Sequence, residues 1–213
     1  KNDEVGRDLI EFADKIASDF SLKKSGLEKE IGTLANHLEH VKSLISSQQA
    51  ATRLGGIVDA YDLSSIVEEA VRMCVPNREE EEITVLFDFE PVPLVVVDKH
   101  KLLQIIVNLL SNARNSLLVC GKKRKQIDVA ILRIGRDRVQ IRVKDNGIGI
   151  PSQNLGWIFT QGFSTKKDGN GIGLHTCQIA AQEMKGKIWC ESPGVDLGAT
   201  FFVELPMTIS FTN

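Results

Sequence analysis

The chain has 213 residues, a net charge of −2, 42% hydrophobic residues and 25% charged residues. That length suits one medium domain with an appendage, and the mix is ordinary for a globular protein. The near-neutral charge offers no case for a nucleic-acid-binding surface, and no apolar run approaches the roughly 18 residues of a membrane span. The 4 cysteines, Cys74, Cys120, Cys177 and Cys190, form no C-x-x-C pair, so they read as reduced intracellular thiols and exclude a zinc or disulfide scaffold. The chain opens on Lys1 with neither a methionine nor a signal peptide. It is expected to be a cytoplasmic fragment of a longer protein, with no membrane contact of its own.

Val5, Leu9, Phe12, Ile16 and Phe20 suit an amphipathic helix over 3–20. Ser25-Gly26-Leu27-Glu28 fits a capping box, which starts a second helix. Leu27, Ile31, Leu34, Leu38, Val41 and Ile45 then step by four and three. Such a heptad seam buries against another helix, often that of a second chain; packing on its own domain is the alternative. Gly55-Gly56 stops it. Residues 1–56 therefore read as a helical dimerisation segment, and 57–213 as a separate domain.

Within that domain, 62–74 has the spacing of a short helix. The acidic run 79–82 reads as a solvated turn and not as a metal site. Ile83, Val85, Phe87 and Phe89 alternate as in a half-buried strand, and 93–97 is a short apolar strand. Asp98 can cap a helix running to about 119. Strands over 126–134 and 138–144 flank Gly135-Arg136-Asp137 as a hairpin. A helix over 171–185 ends at Gly186, and strands over 187–191 and 199–205 complete the chain. The expected fold is α/β: a two-layer α+β sandwich, a mixed sheet with helices on one face, behind a helical stalk.

Three features in this domain bear on chemistry. Asn108, Asn112 and Asn115 stand at i, i+4 and i+7 of one helix and share a face. A hard cation such as Mg²⁺ needs only one amide oxygen beside phosphate oxygens and water, although a capping or surface cluster gives the same pattern. Asp145 closes a strand just before Gly147 and Gly149; its carboxylate can accept an exocyclic amine, and the glycines let backbone approach a flat ring. By itself D-N-G-I is also an ordinary turn. Gly169, Gly171 and Gly173 lead into a helix whose N-terminal N–H groups can cradle phosphate, with Ser164, Thr165, Lys166 and Lys167 in reach of the same anion. Neither a Rossmann fingerprint nor a P-loop is present.

N-L-L-S-N-A at 108–113, D-N-G-I-G-I-P at 145–151, I-F-T-Q-G-F-S-T-K at 158–166 and G-N-G-I-G-L at 169–174 stand in this order. They resemble the N, G1, F and G2 boxes of sensor histidine kinases, over about residues 60 to 206. These kinases share the Bergerat ATP-binding fold with type II topoisomerases, mismatch-repair ATPases and the large heat-shock chaperones. The resemblance implies that Asn112 binds Mg²⁺, that Asp145 binds the adenine amine, and that the stretch between the F and G2 boxes, within the 164–173 segment, is a short lid over ATP. It sets Asn108, Asn115, Gly147, Gly149 and the segment up to Leu174 around the nucleotide, with Asn112 and Lys166 bearing on the transferred group. Hydrolytic relatives carry a water-activating glutamate where this chain has Asn108, and an amide is no general base near neutral pH.

The implied activity is ATP-dependent phosphorylation of a protein histidine, with relay to an aspartate of a response-regulator receiver domain, by a homodimer joined through the N-terminal helices. The alternatives are a hydrolytic ATPase of the same superfamily or a non-catalytic scaffold acting through the stalk. His37 and His40 lie beside the heptad seam, without the acidic neighbour and later proline of the family's acceptor motif. About fifteen residues follow His40 before Gly55, roughly 22 Å of helix, too little for a turn and a return helix. His100 and His175 read as structural or nucleotide-adjacent. The acceptor histidine is expected upstream of Lys1, not at His40.

Overall fold

The computed structural model describes residues 58–76, 79–165 and 171–207. The heptad helix, His37, His40, Lys166 and Gly169 lie outside the described residues. The elements in chain order are β1 (Val58–Tyr61), α1 (Leu63–Cys74), β2 (Ile83–Phe89), β3 (Val95–Asp98), α2 (Lys99–Val119), β4 (Lys125–Ile134), β5 (Arg138–Asp145), α3 (Ser152–Leu155), α4 (Gly173–Glu183), β6 (Lys187–Glu191) and β7 (Ala199–Pro206).

A five-stranded sheet has the order β2-β4-β5-β7-β6. Only β2 and β4 run parallel; the other neighbours are antiparallel, so the sheet is mixed, as expected. The hairpin predicted around Gly135 is present, with Ile134 opposite Arg138. A separate antiparallel pair joins β1 to β3. The sequence reading contains no β1: V-D-A-Y is short and mostly exposed, and its strand partner among the described residues is β3, from Tyr61 opposite Val95 to Val58 opposite Asp98. The helix expected over 171–185 is shorter, because Gly171 has φ +62° and Lys185 φ +56°, both outside the right-handed helical region.

The core lies on one face of this sheet. Val139, Ile141 and Val143 of β5 and Ile127, Val129 and Ile131 of β4 point there, all essentially inaccessible. α2 supplies Leu102, Ile105, Ile106, Leu109, Leu110, Ala113 and Leu117, spaced at three and four residues along one stripe. Each large side chain among them contributes about 1.5–3 kcal/mol by leaving water. α1 adds Leu63, Ile66, Val67, Ala70 and Val71. α2 is long and apolar enough to cross a membrane by length and composition alone, contrary to the expectation that no stretch approaches such a span, but its apolar stripe is the core of this domain. The opposite sheet face is charged and aromatic: Trp189 stacks on Phe202 at 4.9 Å, with the Lys187 ammonium 5.0 Å from the Trp189 ring.

The run 79–82 is a turn, and Glu81 forms an ion pair with Arg114 of α2. Asp62 caps α1 by accepting from the Ser64 N–H. Asp98 caps α2 by accepting from the His100 and Lys101 N–H groups at 3.0 and 3.2 Å, and it is buried. Asp98→Ala leaves those two donors unsatisfied. We expect a loss of about 1 kcal/mol of stability, read as a lower urea midpoint at unchanged slope; an unchanged midpoint would show that the cap carries no weight.

Candidate functional site

Position along α2 organises the site. Asn108, Asn112 and Asn115 are half-buried and flank the apolar stripe without entering it. Helical geometry puts 108, 112 and 116 in one row, about 12 Å from first to last. The Asn108 end of this row meets the start of α4. A side chain at Gly173 would collide with Asn108 Oδ1, so glycine there permits close packing of the two helices. The Asn108 amide also hydrogen-bonds the buried Cys177 thiol, whose pKa burial pushes up to about 12.

At the other end of the row, Ser116 meets Asp145. The carboxylate is only 3% exposed, at the end of β5. Its Oδ1 accepts from the Gly147 N–H at 2.8 Å and from the Ser116 hydroxyl at 3.1 Å. Burial raises the Asp145 pKa; the Gly147 N–H, the Ser116 hydroxyl, the Ala199 N–H and the charge of Lys122 pull it back.

Both turn glycines are required by the protein itself. A Cβ on Gly147 would occupy the position of the Ser116 hydroxyl. Gly149 has φ +67°, and a side chain there would strike the Gly194 carbonyl. This packing requirement stands beside the expectation that these glycines let backbone approach a flat ring.

The turn after Asp145 is tied to the 192–198 loop. The Ser192 hydroxyl accepts from the Ile150 N–H at 2.9 Å and donates to the Gly198 carbonyl at 2.7 Å. The Lys122 ammonium donates to the carbonyls of Asn146 and Asp196 at 2.7 and 2.6 Å. Asn146 holds β4 through the Gln126 N–H and the Arg124 carbonyl. None of Ser116, Lys122 or Ser192 figures in the sequence reading. Ser116 was open to detection, because it continues the i, i+4 row of Asn108 and Asn112. Lys122 and Ser192 act on backbone distant in sequence, and no local pattern signals that.

The second glycine segment divides into two roles. The Gly162 N–H donates to the Gly171 carbonyl at 3.0 Å, closing the base of the 163–170 segment. Gly173 begins α4, and among the described residues no side chain caps that helix, in contrast to α1 and α2. Its first N–H groups can therefore receive an anion. Ser164 and Thr165 are exposed, and Leu174 packs partly buried against the core. His175 Nδ1 lies 3.1 Å from the Phe159 carbonyl and links α4 to the aromatic segment. Among the described residues no group of three or more His, Cys, Asp and Glu side chains could hold a metal. The amide oxygens of the α2 row are hard donors, a set that fits a hard, largely hydrated cation.

Because burial raises the Asp145 pKa, the folded chain binds that proton more tightly than the unfolded chain. Stability from the protonated form is full below the ordinary value of 3.8 and is lost as pH rises through the raised folded value. At pH 7 the buried charge opposes folding. Asp145→Asn keeps an oxygen acceptor and removes the charge. Its unfolding temperature, measured without ligand by calorimetry at pH 7, should equal or exceed that of the wild type, with any gap closing toward pH 4. A drop of several degrees would mean that the carboxylate stabilises the fold.

A model of the histidine kinase-, DNA gyrase B-, and HSP90-like ATPase family matches residues 97–209. The sensor histidine kinase TmoS of Ectopseudomonas mendocina is 29% identical over 158 residues, which is 73% of this chain and 16% of that protein. The sensor histidine kinase ZraS of Klebsiella oxytoca is 32% identical over 150 residues, 70% of this chain and 31% of that protein. This chain thus spans less than a third of the length of either relative. A nucleotide-free catalytic domain of the histidine kinase ThkA superposes with a TM-score of 0.63 at 24% identity, covering 71% of this chain and 96% of that one, a likeness of fold. The matched span takes in the amide row, the buried Asp145 and the uncapped glycine-led helix, and over it the chain belongs to the histidine kinase-, DNA gyrase B-, and HSP90-like ATPase family.

Proposed function

We infer that this chain is the ATP-binding catalytic part of a sensor histidine kinase. One observation carries the reading: a single rigid helix face meets a buried carboxylate at Ser116 and an uncapped, glycine-led helix start at Asn108. That span suits a nucleoside triphosphate lying along α2. Asp145 accepts the adenine amine, the N-terminus of α4 takes the phosphates, and Asn115 lies between them. Asn112 holds Mg²⁺, which when bound neutralises phosphate charge and orients the transferred group. Ser164, Thr165, Lys166 and Gly169 serve the phosphates, with Lys166 bringing positive charge to the γ-phosphoryl group, and the stretch between the F and G2 boxes closes over the nucleotide.

Transfer then proceeds with a histidine imidazole nitrogen forming the new P–N bond as the bond from the γ-phosphorus to the bridging oxygen breaks. The protein's work is positioning and charge stabilisation. The Asn108 amide hydrogen-bonds Cys177 and offers no base to activate water. This favours a protein acceptor over hydrolysis. The names of the relatives support the same reading. The acceptor histidine lies upstream of Lys1, the phosphoryl group passes to a receiver-domain aspartate, and residues 1–56 dimerise on the cytoplasmic side, where ATP is available.

Titration calorimetry should detect ATP binding that depends on Mg²⁺. Asp145→Asn should abolish binding, and Asn112→Ala should remove the Mg²⁺ dependence; an Asn112→Ala chain that still binds Mg-ATP normally refutes the metal assignment. With γ-³²P-ATP, the full-length protein should acquire an acid-labile label that survives His40→Ala, while the 213-residue chain releases phosphate only slowly. Steady phosphate release by the chain alone supports a hydrolytic ATPase and overturns the kinase reading.

A further inference from the structure

We propose that Ser116 is a positioning residue for nucleobase recognition: it holds Asp145 ready to accept a purine amine and so sets the preference for a 6-amino purine. The proposal rests on the reading of Asp145 as the purine acceptor and assigns the device that makes it selective.

The Ser116 hydroxyl serves two partners at once. It accepts from the Ile148 N–H at 3.0 Å and donates to Asp145 Oδ1 at 3.1 Å. A hydroxyl has one hydrogen, and a backbone N–H can only donate, so that hydrogen is committed to the carboxylate. The Gly147 N–H converges on the same oxygen at 2.8 Å. Two donors on Oδ1 fix the rotation of the carboxyl group and determine which oxygen faces the α2 helix. Under the proposal, the other oxygen is the one that accepts the purine amine. The absence of a side chain at Gly147 belongs to the same device, because a Cβ there would displace the hydroxyl.

The hydroxyl also supports the charge that recognition requires. A carboxylate is acceptor-only when ionised, whereas the protonated group presents a donor that would oppose an amine. Burial favours the protonated form. The groups acting against this are the Gly147 and Ala199 N–H groups, the Lys122 ammonium and Ser116 itself. From β6, the Cys190 thiol also faces the carboxylate, and burial pushes its pKa up to about 12, so it stays neutral. Ser116 is the residue of α2 that reaches Asp145.

The test compares ATP with purine riboside triphosphate, which lacks the 6-amino group, on the wild type and on Ser116→Ala. Wild type should prefer ATP. In Ser116→Ala, ATP affinity should fall about ten- to a hundredfold, the effect of losing a hydrogen bond to a charged group. Purine riboside triphosphate should bind both proteins within about threefold, which also shows that the variant is folded. The loss of ATP binding at acid pH should begin at higher pH in the variant, because a donor to the ionised form is gone. Equal weakening of both nucleotides, or unchanged ATP binding, overturns the role of Ser116. A wild type that does not discriminate between the two nucleotides overturns the reading of Asp145 and this inference with it.

Discussion

α2 must meet two demands that conflict in most helices. One stripe, from Leu102 to Leu117, is the core of the domain and excludes water completely. The adjoining row, Asn108, Asn112 and Ser116, stays polar within a few ångströms of it. Side chains at 100° intervals allow both, because the polar row flanks the apolar stripe without interrupting it. The core packing holds the helix rigid, and rigidity of the helix gives the polar row a fixed length. The distance between the carboxylate end and the glycine end of the site is therefore a property of the core.

Asp145 shows the opposite relation between site and fold. Its burial is unfavourable for the charge, and several separate donors are arranged to offset that. Groups held in this way mark binding sites more often than structural ones. The loop at 192–198 belongs to the same arrangement. Through Ser192, Lys122 and Gly198 it clamps the backbone on the far side of the carboxylate. The Asp145 end is therefore held by fixed backbone and by the Ser116 hydroxyl. The other end is built differently, with one closing hydrogen bond at the base of a loop and a bare helix start.

The elements with strong local signals were legible in the chain. Asp98 followed by an apolar three-four pattern specifies α2, and the alternation through Val139, Ile141 and Val143 specifies β5. The ordered motifs identified the family, because each joins a backbone requirement to a chemical group. β1 was not legible, since four largely exposed residues form a strand only by pairing with β3. The packing reason for the glycines was not legible either. Gly147, Gly149 and Gly173 follow from Ser116, the Gly194 carbonyl and Asn108, neighbours that no sequence window contains.

Residue identity and spacing alone determined the helix with its amide row, the strand ending in Asp145, the mixed two-layer class and the family, because periodicity and turn chemistry act over a few residues. Tertiary structure alone decided that β2 and β4 run parallel, that Lys122 and Ser192 brace the turn, and that the Ser116 hydroxyl belongs to Asp145. Those outcomes depend on groups 24 to 74 residues apart meeting in space. Such meetings follow from how the core closes, and the closure of the core is not encoded in any single stretch of chain.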